Sequence, residues 1–70
     1  MNPETKIKIE GLYNLAKKER TDWLDNLLNS KSCPHSDKLL YLLTANAHHK
    51  QYQEYVNRIT QVVEDSLRGQ

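Results

Sequence analysis

The chain has 70 residues, 37% of them hydrophobic and 27% charged, with no phenylalanine and one tryptophan. A domain this short buries only about 60% of the surface it would expose unfolded, so its core is small and association would add to its stability. Ten basic residues against nine acidic ones give a formal net charge of +1, and the signs are mixed along the sequence, without the clustered basic face of an autonomous nucleic-acid binder. With Cys33 as the single cysteine no internal disulfide forms. No apolar run approaches the roughly 20 residues that span a bilayer, so a cytoplasmic protein without membrane contact is expected.

Asn2 and Pro3 read as an N-cap followed by proline at the first helical position, with Glu4 in the first turn where negative charge suits the helix dipole. Ile9, Leu12, Tyr13, Leu15 and Ala16 recur at spacings of three and four and can share one broad helical face. Gly11 inside this segment costs about 1 kcal/mol relative to alanine. Thr21 and Asp22 supply a second start signal. A short helix carrying Trp23, Leu24, Leu27 and Leu28 is expected to follow and to end near Asn29 or Ser30. The stretch SKSCPHS is a break, because the residue before Pro34 is biased away from helix and the serines suit turns.

A third helix is expected to start at Pro34, or at Ser36 with Asp37 behind it, and to run without proline or glycine to Arg68. Leu42, Ala45, His49, Tyr52, Val56, Ile59, Val63 and Leu67 lay one stripe along it. Leu39, Leu40 and Leu43 widen the early part, which suits packing on the first two helices. The later part, flanked by Tyr55 and Val62, is narrow and suits a seam for another helix, including a symmetry mate in a homodimer. The expected architecture is all-α: one domain over residues 1–70, of three or four helices with a long C-terminal amphipathic helix.

The adjacent His48 and His49 raise the question of a metal site. Zinc needs three or four converging ligands, and consecutive side chains on a helix point about 100° apart. Thr44, Ala45, Tyr52 and Gln53 offer no ligand one turn away, while His35 lies roughly 20 Å further along a continuous helix. No metal or cofactor is therefore expected. The carboxylates are spread over all segments, no glycine-rich phosphate loop is present, and Cys33 reads as an ordinary loop thiol, so no catalytic residue is assigned and an enzyme is not expected. His49 on the apolar stripe, with His48 bordering it, fits a supporting core or a polar spot in an interface that sets specificity. Tyr52 and Tyr55 suit an interface because a ring can bury its body while its hydroxyl stays wet.

Two stretches resemble a known family. In LYNLAKKERTDWLDNLL and HSDKLLYLLTANAHHK, Leu12, Leu15, Asp22, Leu24, Ser36, Asp37, Leu40, Ala47 and His49 align without gaps with the Hha/YmoA family of small nucleoid-associated modulators, with Asp25 and Lys50 as conservative replacements. The resemblance covers about residues 12–50. It departs at His48, where the family has an acidic residue, and after Lys50, where the family breaks and ends in a tryptophan-bearing helix. It implies a modulator of gene expression that binds the nucleoid-structuring protein H-NS. Asp22, Asp25 and Asp37 would meet basic residues of that partner, and Lys17 and Lys18 would add a weak phosphate contact, with DNA bound at most indirectly. The alternative expectation is a phage- or plasmid-encoded inhibitor or immunity protein that blocks a host protein through Tyr52, Tyr55, Val56 and Ile59.

Overall fold

A computed structural model describes residues 2–69, and within them the chain is all-α, with two helices. The first, α1 (Pro3–Ser32), begins as its local chemistry dictates: the Asn2 side chain accepts the Glu4 N–H at 2.8 Å, and Pro3 occupies a position where a missing N–H costs nothing. It ends at Cys33, whose extended backbone (φ −86°, ψ 163°) is what a residue before proline adopts. Pro34, also extended, is the N-cap of α2 (His35–Arg68), and its carbonyl accepts the Asp37 N–H at 2.9 Å. Ser36 thus lies inside the first turn of α2 rather than capping it.

The expectation of three or four helices is corrected to two. Thr21 and Asp22 do not start a helix, because α1 passes through them unbroken. The Thr21 hydroxyl donates to the Lys17 carbonyl one turn back, at 3.0 Å, and the Asn26 side chain does the same to the Asp22 carbonyl at 2.8 Å. A threonine caps only when the residues before it are not helical; within a continuous helix its hydroxyl bonds backwards instead.

The helices pack against each other as an antiparallel hairpin of 54 × 15 × 10 Å. We call the Cys33–Pro34 connection its closed end and the termini its open end. The Cα radius of gyration is 16.0 Å, against about 11 Å for a compact domain of this length. Along α1 and its C-cap, Thr5, Ile9, Leu12, Ala16, Glu19, Trp23, Asn26, Ser30 and Cys33 are buried or half-buried and alternate at spacings of four and three, with Asp22 and Leu27 half-buried beside them. On α2 the same alternation runs through Tyr41, Ala45, His48, Tyr52, Tyr55, Ile59, Val62 and Ser66. Such spacing keeps one seam of each helix facing its partner along its whole length.

This seam is thin. Ala16 and Ala45 are the only buried apolar residues among those described, and no large side chain is fully buried. Its two halves also differ. Toward the open end it holds Thr5, Ile9, Leu12, Tyr55, Ile59, Val62 and Ser66; Glu19 and His48 meet at mid-length, and toward the closed end Asn26 and Ser30 sit among Trp23, Tyr41 and Ala45. Ser30 is 5% exposed and satisfies its hydroxyl within its own helix, donating to the Leu27 carbonyl at 2.6 Å.

The two halves of the α2 stripe reverse their expected parts. The narrow portion, His49, Tyr52, Val56, Ile59 and Val63, is half-buried in the hairpin, while the wide portion, Leu39, Leu40, Leu42 and Leu43, is exposed. A two-helix hairpin has no third element to cover the wide side.

Gly11 lies inside α1, and a Cβ added there meets nothing within 4 Å. Gly11→Ala is therefore expected to stabilise the fold by about 0.5–1 kcal/mol, through helix propensity and a less flexible unfolded chain. Thermal unfolding at fixed protein concentration checks this, and the rise should be roughly 4–8 °C for each kcal/mol.

Candidate functional site

Two features stand out on this scaffold, a polar cluster at mid-length and a leucine surface at the closed end. The cluster arises because the antiparallel register sets Glu19 of α1 beside His48 of α2, 29 residues later, with His48 Nδ1 and Glu19 Oε2 2.5 Å apart. Both side chains are half-buried, and this is the one ion-pairing contact among the described residues. Asp22 stands one turn along α1 from Glu19 and is likewise half-buried; ligand atoms of Glu19, Asp22 and His48 lie within 4.8 Å of one another. Next to the cluster, the Trp23 and His49 rings meet with centroids 4.5 Å apart at 50°, and His49 lies 6.4 Å from the Tyr52 ring. The Arg58 guanidinium sits 5.9 Å from the Tyr55 ring centroid, within cation–π range.

The leucine surface is built from both helices. Leu28, Leu39, Leu40 and Leu43 are 63%, 67%, 64% and 59% exposed, and Leu24 and Leu42 are exposed as well. Leu24, Leu27, Leu28 and Leu42 line an open groove of about 520 Å³, with Lys31 and Lys38 among its lining residues. Here the usual order of a helical hairpin is inverted, since Asn26 and Ser30 lie in the seam while leucines face solvent. Isolated exposed leucines need no explanation, whereas this group on adjoining helix faces leaves a contiguous apolar patch open to solvent.

The residues singled out from the sequence fall in different places. His48, His49, Tyr52 and Tyr55 are half-buried in or beside the seam, and Asp22 joins the polar cluster. Asp25, Asp37, Lys17 and Lys18 are exposed, Asp37 in the first turn of α2. Glu19 was not among them. Its pairing with His48 depends on the register between two helices, and the only sequence signal for it is its place in the four-and-three spacing of α1. The spacing of Leu39, Leu40 and Leu43 suits packing on other helices, and the structure leaves all three exposed.

No helix of the described residues is long and apolar enough to cross a membrane. No protein-family model, curated protein or solved structure matches the chain.

His49 offers a test of this arrangement. His49→Ala is expected to lower stability by about 1 kcal/mol through loss of the ring contacts, and to shift Trp23 fluorescence toward longer wavelength as the indole gains water. His35→Ala, at an exposed position in the first turn of α2, should change neither reading.

Proposed function

We propose that this chain is a non-enzymatic protein-interaction module that works as a homodimer, two hairpins pairing through their leucine surfaces. The observation that carries this reading is the inverted packing at the closed end: polar Asn26 and Ser30 inside, six leucines outside. Area supports a second copy as the occupant. The chain exposes 5474 Å², about 900 Å² more than a compact monomer of 8.2 kDa would. That excess is close to the roughly 800 Å² each partner buries in a standard interface. Two hairpins joined face to face make a four-helix bundle, the arrangement in which helices of this kind acquire a shared core.

Leu28→Glu combined with Leu43→Glu sets like charges on both helices of the surface. Sedimentation equilibrium of the unmodified chain should give a mass twice 8.2 kDa at micromolar concentration, and the double variant a monomer with lower helicity. A monomeric parent chain at 100 μM would remove the proposal.

The nucleoid-modulator reading supplies a partner for the dimer. Asp25 and Asp37 are exposed and Asp22 half-exposed, so these carboxylates are accessible to basic residues of an H-NS-like protein. Charge complementarity of that kind sets specificity and encounter rate. Lysate capture with the full chain should recover such a protein, and Asp25→Lys with Asp37→Lys should abolish recovery without changing the dimer mass. Stoichiometric capture of an unrelated enzyme or toxin, lost with Tyr52→Ala or Tyr55→Ala, would instead favour the inhibitor reading.

A further inference from the structure

The Glu19, Asp22 and His48 side chains form a three-donor set that the interaction reading does not use. The set has one imidazole nitrogen and two carboxylates, supplied by both helices. Its ligand atoms lie within 4.8 Å of one another, while donors bound at about 2.1 Å to one ion sit no more than about 4.2 Å apart. Glu19 and Asp22 stand three residues apart on α1, so their carboxylates neighbour one another.

Charge points the same way. Two carboxylates face one imidazole, so the formal charge of the cluster is negative whichever form the ring takes. His48 meets Glu19 only, and the Asp22 carboxylate makes no hydrogen bond or ion pair with another described residue. Like charges at this spacing on a helix destabilise it, and a cation between them removes that repulsion. All three residues are half-buried, which leaves one side open for water to complete the coordination sphere.

We infer that Glu19, Asp22 and His48 bind a first-row transition-metal dication, of which Zn²⁺ is the representative, with water in the remaining position. An imidazole among the donors favours such an ion over Mg²⁺, which takes oxygen ligands and keeps most of its water. The ion ties α1 to α2 at the point where the seam is polar, so binding stabilises the folded hairpin.

The test uses the full chain after chelator treatment and dialysis, titrated with Zn²⁺ by calorimetry and with Co²⁺ by visible absorption, with Mg²⁺ as the control. One site per chain is expected, with a rise in melting temperature on Zn²⁺ addition and little response to Mg²⁺. Asp22→Asn leaves the Glu19–His48 contact in place, and His48→Gln keeps a polar group facing Glu19. Circular dichroism verifies that both remain helical. Each substitution should weaken Zn²⁺ binding at least tenfold and abolish the thermal shift. Absence of saturable Zn²⁺ binding to the parent chain overturns the proposal, as does parent-like affinity in either variant, which would place the ion elsewhere, for instance at Cys33 and His35.

Discussion

Two helices in contact can bury only one stripe of each, and this constraint governs the rest of the molecule. A bundle of three or more helices lets each element bury a broad face; a hairpin offers every side chain off the seam to solvent. Here the seam itself is economical, with Ala16 and Ala45 as its only buried apolar residues. Small side chains let helices approach closely, yet they bury little area, and hydrophobic stabilisation scales with area at about 25 cal/mol per Å². The isolated hairpin is therefore a poor stabiliser of its own 68 described residues (2–69). The leucines that would enlarge its core lie on the wrong side for that purpose.

The polar contacts of the seam do a different task from the apolar ones. Two amphipathic helices can slide past each other by a turn, about 5.4 Å, and still keep apolar atoms together. A two-residue connection at Cys33–Pro34 limits such slippage near the closed end. Further along, the contact between Glu19 and His48 and that between Trp23 and His49 fix the register, because neither survives a slip. A single polar pair that specifies register at some cost in stability is a known device of helical seams.

What the sequence disclosed follows the range of the interactions involved. The N-cap at Asn2, with Pro3 and Glu4, and the break at Cys33–Pro34 are set by neighbours within a few residues, and both stand where local chemistry put them. Thr21 and Asp22 have the same composition as a cap, but whether a hydroxyl bonds forward or backward depends on the conformation of the preceding turn. The apolar periodicity of the C-terminal half located the α2 stripe, but the seam also recruits Tyr41, His48, Tyr55, Val62 and Ser66, which lie off that stripe. A hydrophobic pattern ranks Leu39, Leu40 and Leu43 as core above Asn26 and Ser30. That ranking holds only if enough helices exist to enclose them, and helix number is a property of the whole chain. Glu19 and His48 are brought together by that same global arrangement.

Polar and apolar residues are distributed unevenly along the hairpin. Toward the open end the helices have free termini, yet their seam is apolar through Ile9, Leu12, Ile59 and Val62. Toward the closed end they are joined covalently, but the seam is polar at Asn26 and Ser30, and these side chains bond within their own helix rather than across it. The closed end also carries the exposed leucines. A surface that covers those leucines adds apolar burial where intramolecular packing supplies little. Its binding energy then appears as helix stability at that end and depends on protein concentration by mass action.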